Sequence, residues 1–204
     1  MERTKPEGTP SPNSQKGFLM CQVLLRTLSI AATLIATALM ATNKETIRFF
    51  GIEMDAKYSY ASALTFYVAA NSAASFISLV SLFAVIYYVS LAKSGHCQKK
   101  YYTIFLLDLM VVMCLVSGSS AASTIAYTGK YGNSHAGWMP ICDHFGKWCN
   151  KVVASLLSSY AAALLSLILT VWSSWKALAT SNSDFEDSLK IRDNKVGNEF
   201  VSAI

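Results

Sequence analysis

The chain has 204 residues, 53% of them hydrophobic and only 14% charged, with a formal net charge of +5. Soluble domains carry roughly 25% charged residues, so this composition excludes a water-facing surface of ordinary polarity. The positive balance comes without a basic stripe interleaved with aromatics, which excludes a nucleic-acid interface. The charges gather between long apolar runs, as in a chain that crosses a membrane several times.

Residues 1–17 hold three prolines, two glycines and no apolar periodicity, and read as a disordered terminus. The first apolar segment runs over about 18–41. Its run is longer than the ~7–15 residue core of a cleavable signal, and Arg26 interrupts it, so it reads as a retained span despite Ala36-Thr37-Ala38. A polar connection, ETIRFFGIEMDAKYSY, follows and leads into a second span over about 61–91, which carries Asn71. The short basic KSGHCQKK precedes a third span over about 102–126. That span holds Asp108 and, at 117–123, the small-residue patch SGSSAAS. A further connection with Cys142 and Cys149 precedes the fourth span, about 152–175. Each run exceeds the ~20 residues that carry a helix across ~30 Å of hydrocarbon. Without water each must satisfy its own backbone. The expected fold is an all-α bundle of four transmembrane helices over 18–176, with a polar tail at 177–204. Within that tail DFEDSLKI has the pattern of a short helix. The ending VSAI has the S-x-hydrophobic form that docks on sheet edges, a form frequent by chance.

Ten Lys and Arg fall on the side of the termini and the second connection, six on the other. The positive-inside rule therefore puts both termini in the cytoplasm. Cys142 and Cys149 then share the oxidising side and are expected to form a disulfide. The alternative is a metal site using the two thiols with His135 and His144, at a spacing that matches no common zinc pattern. Cys21, Cys97 and Cys114 are expected to stay reduced.

Arg26 and Asp108 are the two charges deep inside spans. Both spans start at the cytoplasmic face, so at 1.5 Å per residue the two sit ~12 Å and ~9 Å deep. Each alone costs ~2.5–3.5 kcal/mol at the centre of a helix, and facing each other they offset that cost. The alternatives are snorkelling of Arg26 along its stem and a proton or ion relay. On the fourth span Ala154, Ser158, Ala162, Ser166, Thr170 and Ser174 recur every four positions, forming a ridge that a helix of the same chain or of a second copy can approach closely. Asn71 and Tyr160 are expected at one level, within reach of a hydrogen bond. No phosphate loop, zinc-protease helix or nucleophile elbow occurs. His96, His135 and His144 lie in connections without matched triad partners. No catalytic residue, metal ligand set or cofactor is expected.

The four spans, Arg26 in the first, Asp108 in the third, the pair Cys142 and Cys149, and the stretch AKYSYASALTFYVAAN resemble the plant Casparian strip membrane domain proteins and their CASP-like relatives. That family is itself similar to the MARVEL tetraspan group. In the first outer connection only fragments such as Glu45-Thr46 and Phe49-Phe50 match the longer signature of strip-forming members, which points to the broader CASP-like group. The resemblance implies a non-enzymatic plasma-membrane scaffold. It would associate with itself and with related members in the bilayer, and organise wall-modifying enzymes. A small transporter or channel subunit using Arg26 and Asp108 is the alternative from another class.

Overall fold

The computed structural model describes residues 12–49, 52–90 and 98–202. Four long helices account for most of it: α1 (Pro12–Ala41), α2 (Ser62–Ser90), α3 (Gln98–Tyr131) and α4 (Gly146–Ser202). Each contains a stretch long and apolar enough to cross a membrane: Met20–Ala41, Ser62–Tyr87, Tyr102–Tyr131 and Gly146–Trp175. α1 packs on α2 and α4, and α3 packs on the same two, so the bundle closes in the ring order 1-2-3-4.

Several limits differ from those read in the sequence. α1 begins at Pro12, six residues before the expected span. A proline is well placed there, because the first helical N–H has no acceptor in any case. Residues 1–11 lie outside the described residues, as do Cys97, His96 and the last two residues of VSAI. The fourth apolar stretch ends at Trp175 as expected, but the helix α4 does not end with it. It continues unbroken to Ser202 over 57 residues, about 85 Å at 1.5 Å per residue. The sequence between 176 and 202 contains neither proline nor a glycine pair to end it, so only the fall in hydropathy marks where the apolar part stops.

The first connection adds a β-hairpin to the expected all-helical picture. β1 (Lys44–Phe49) and β2 (Ile52–Lys57) pair antiparallel from Lys44↔Lys57 to Phe49↔Ile52. Thr46, Ile47 and Phe49 suit a pleated surface, and Arg48 stands directly opposite Glu53, to which it is paired at 2.7 Å. The connection between α3 and α4 is tied by backbone. Asn133 and Trp138 exchange N–H···O bonds, and Ile141 and Cys142 both donate to the Gly129 carbonyl. Gly132 (φ +69°) turns the chain where a Cβ would stand 2.6 Å from the Trp138 carbonyl oxygen, a conformation and a space that only glycine accepts.

The bundle interior is built of small and hydroxyl-bearing residues. Ser29, Thr33, Ser75, Ser78, Ser81, Ser119, Ser155, Ser159 and Ser173 are buried, whereas Leu24, Phe76, Phe83, Met113, Leu157 and Leu164 face outward. Lipid is as apolar as leucine, so burying large side chains brings little gain, and close backbone approach dominates instead. Gly118 shows how close that approach is: a Cβ there would meet Ala70 at 2.9 Å. The larger cluster of buried apolar side chains lies at the loop end of the bundle, where Met40, Leu64, Tyr67, Phe145, Trp148 and Val152 pack together, and a smaller one with Val111 and Leu115 lies further in.

Candidate functional site

The charged pair of the sequence lies at the centre of a larger polar node. Arg26 on α1 donates from both terminal nitrogens to the two carboxylate oxygens of Asp108 on α3, each at 2.6 Å. This is the bidentate fork that a planar guanidinium makes with a carboxylate. Arg26 Nη1 also donates to Ser81 Oγ on α2 at 2.6 Å, and Ser81 passes its own proton to Asp108 Oδ1 at 3.2 Å. Ser173 on α4 donates to Asp108 Oδ2 at 3.3 Å. One residue from each of the four helices therefore meets at one point, with Arg26 2% and Asp108 4% exposed. The carboxylate accepts four hydrogen bonds and carries its charge against a fixed cation. Arg26 Nε has no hydrogen-bond partner among the described residues. Beside the node a cavity of about 10 Å³, lined by Arg26, Ser29, Ser78 and Asp108 among others, is on the scale of a single water.

The sequence pointed to Arg26 and Asp108 and missed Ser81 and Ser173. For Ser81 a signal was present: it lies ten residues in from the expected end of the second span, near the level of the pair. Ser173 lies two residues from the expected end of the fourth, and a depth count places it at the membrane surface. The apolar stretch of α4 does end at Trp175, yet the structure brings Ser173 to Asp108.

Toward the loop end the polar groups are uncharged. Ser119 and Ser159 hydroxyls lie 2.9 Å apart, and Ser159 donates to Asn71 Oδ1 at 2.9 Å. Asn71 Nδ2 donates to the Tyr67 carbonyl on its own helix. The expected Asn71–Tyr160 bond does not form. Tyr160 follows Ser159 and so points ~100° further round α4, given 3.6 residues per turn. It meets Ser123 on α3 at 2.9 Å and stays 39% exposed. Tyr67 Oη lies 2.9 Å from both the carbonyl oxygen and Oγ of Ser155, whose hydroxyl donates to the Ala36 carbonyl on α1.

Most of the α4 ridge packs within the chain, against α1. Ser158 donates to the Ala32 carbonyl, and Ser29 sits 2.8 Å from Ser166 Oγ and 3.4 Å from the Ala162 carbonyl. Ala162, Ser166 and Thr170 are buried, Ser158 and Ser174 are half-buried, and Ala154 is exposed. Further small residues face outward at Thr65, Ala69 and Ala73 on α2 and at Ser117, Ser120 and Thr124 on α3.

Cys142 and Cys149 are joined in a disulfide. Their sulfurs are thus withdrawn from the metal site considered with His135 and His144. Cys21 and Cys114 are free thiols. The same end holds a contact that the sequence did not disclose. Glu45 of β1 accepts the Trp148 N–H at 2.7 Å, while Asn43 Nδ2 donates to the Trp148 carbonyl. A carboxylate at the start of α4 satisfies an otherwise orphaned donor and opposes the positive end of the helix dipole. The first loop-side connection is thereby fastened to the first turn of α4, to whose start the disulfide ties the other.

The Casparian strip membrane protein domain matches residues 15–165. The chain is 40% identical to CASP-like protein 1F1 of Vitis vinifera, over 85% of this chain and 82% of the relative. It is 41% identical to CASP-like protein 1F1 of Ricinus communis, over 87% and 97%, and 39% identical to CASP-like protein 1F2 of Populus trichocarpa, over 85% and 94%. No solved structure matches. The matched region runs from the start of the first span to the middle of the fourth and takes in both partners of the charged pair, so the chain belongs to the Casparian strip membrane protein domain family, among its CASP-like members.

Proposed function

We propose that this protein is a non-catalytic tetraspan scaffold of the plasma membrane, with both termini in the cytoplasm. It associates laterally with copies of itself and with related members, and through such platforms organises wall-modifying enzymes. The observation that carries this reading is the inward turn of its polar chemistry. Arg26 and Asp108 neutralise each other, hydroxyls from the other two helices complete the node, and the surrounding surface is apolar. A relay needs ionisable groups in succession, and the groups lying between the node and the loop end are hydroxyls and one amide. A rigid bundle with an apolar exterior is suited to lateral packing.

Association then uses the outward small residues of α2 and α3 in preference to the α4 ridge. The test is the size of the complex in native lipid particles. Ala69→Leu with Ser120→Leu is expected to shrink it while leaving the monomer folded, whereas Ser158→Leu is expected to unfold the bundle. A wild-type protein that runs as a monomer, or one that conducts ions or solutes in a purified flux assay, overturns the reading.

A further inference from the structure

Between the last turns of α3 and the first turns of α4 lies a cavity of about 180 Å³, walled by Ile125, Ala126, Val152 and Val153, with the Trp148 ring and the disulfide alongside. Its polar lining is Lys130 and Asn150, and no acidic side chain contributes. Lys130 is exposed, with its Nζ 5.4 Å from the centre of the Tyr131 ring. We propose that this cavity seats one glycerophospholipid of the leaflet on the loop side, with an acyl chain segment against the valines and the anionic phosphodiester at Lys130.

Three observations lead there. The first is position. Counting from Tyr102 at one hydrocarbon boundary, and allowing a tilt of ~20°, Ile125 lies ~32 Å and Lys130 ~39 Å along the membrane normal. Hydrocarbon is ~30 Å thick and each headgroup layer adds ~5–7 Å. The apolar wall is therefore level with the ester ends of the acyl chains, and Lys130 stands at the outer edge of the headgroups, from which its long stem reaches back toward the phosphates. Tyr127 and Tyr131, both exposed, stand at the same height, where aromatic rings favour the interface. The second is charge. The neighbouring hairpin pairs two of its three cations, Arg48 with Glu53 and Lys57 with Asp55. Lys130, Lys147 and Lys151 make no ion pair among the described residues. The third is size. An apolar cavity of ~150 Å³ holds a benzene ring, so this one accepts a segment of one chain and not a whole lipid.

The experiment uses the full chain in nanodiscs of phosphatidylcholine, with or without phosphatidylglycerol, doped with a phospholipid bearing a diazirine near its ester. Cross-linked peptides are mapped after illumination. Adducts are expected to concentrate on residues 122–130 and 146–155. Gly129→Leu fills the cavity without a backbone clash, since a Cβ there meets Cys142 Sγ at 3.8 Å, and is expected to cut those adducts about fivefold. Lys130→Glu is expected to abolish any preference for the anionic lipid while acyl labelling persists. Val153→Trp repeats the filling test from α4 should Gly129→Leu lose the disulfide. Adducts spread evenly over Phe76, Met113 and Leu164, unchanged by either filling variant, overturn the proposal. So do chain-to-chain cross-links through Val153, which place a second copy there instead. Neither result depends on whether the α2 and α3 faces associate.

Discussion

Arg26–Asp108 and Arg48–Glu53 are both an arginine on a carboxylate, closed to 2.6 and 2.7 Å. The first pair has 2% and 5% of its side chains exposed, the second 79% and 60%. In the hairpin, water competes for both charges and salt screens them, so the pair contributes little. In the bundle neither charge has another solvent, and removing one strands the other. The same contact is therefore an ornament of one region and a condition of the other. Buried pairs are often no more stable than apolar replacements; what distinguishes this one is that four helices each present one residue to it.

The largest effect is expected from unpairing the node. Asp108→Leu should cost ~3–5 kcal/mol, the usual penalty for stranding one member of a buried pair. Arg26→Leu should cost less, because Asp108 can take up a proton and keep Ser81 and Ser173 as partners, while arginine cannot lose its charge. Replacing both by Leu should recover part of the loss. Unfolding in detergent, together with surface delivery, reads all three. If the double variant is as poor as the two singles combined, the residues are energetically independent and the contrast with the hairpin collapses.

Next comes the disulfide, which closes a loop across seven positions. Chain-entropy reasoning gives about 2–3 kcal/mol for a loop of that length. Cys142→Ser with Cys149→Ser should lower Tm by the same amount as a reductant lowers it in the wild type. A reductant that still destabilises the double variant would show that another disulfide is responsible.

Smaller still is the uncharged layer. Asn71→Ala should cost about 0.6–1.7 kcal/mol, the range of hydrogen bonds between membrane helices. A double-mutant cycle with Ser159→Ala should be non-additive, and one with Tyr160→Phe additive. Coupling to Tyr160 would restore the pairing that the depth count suggested and the geometry does not show.

The smallest effects belong to the hairpin. Arg48→Ala should change stability by no more than ~1 kcal/mol, and less in high salt. Hydrogen bonds from Lys57 and Tyr60 hold Asp55 below the ordinary carboxylate pKa. Their support is therefore complete above that ordinary pKa and lost as pH falls through the lowered one. Lys57, raised by the same contact with Asp55, keeps its share below the ordinary lysine pKa and loses it as pH climbs through the raised value. Titration of the hairpin amides by NMR should show a flat response between the two windows. A transition near neutral pH would contradict this assignment.

Four spans, the meeting of Arg26 with Asp108, and the neighbourhood of Cys142 and Cys149 were legible in the sequence. Hydrocarbon admits so few solutions that a long apolar run must be a helix, and two opposite charges at one depth must find each other or be expelled. The sequence did not disclose which hydroxyls complete the node, which face of α4 turns inward, or that Glu45 reaches the first turn of that helix. A serine in a helix can bond its own backbone, as Ser72 does to the Val68 carbonyl and Ser120 to that of Val116 while facing outward. Ser81, Ser155 and Ser159 carry the same side chain into the core. A group satisfied equally well on either side costs the helix almost nothing to place, so its direction leaves no mark on the order of residues. Only the packing of one backbone against another, close enough at Gly118 to admit no Cβ, decided it.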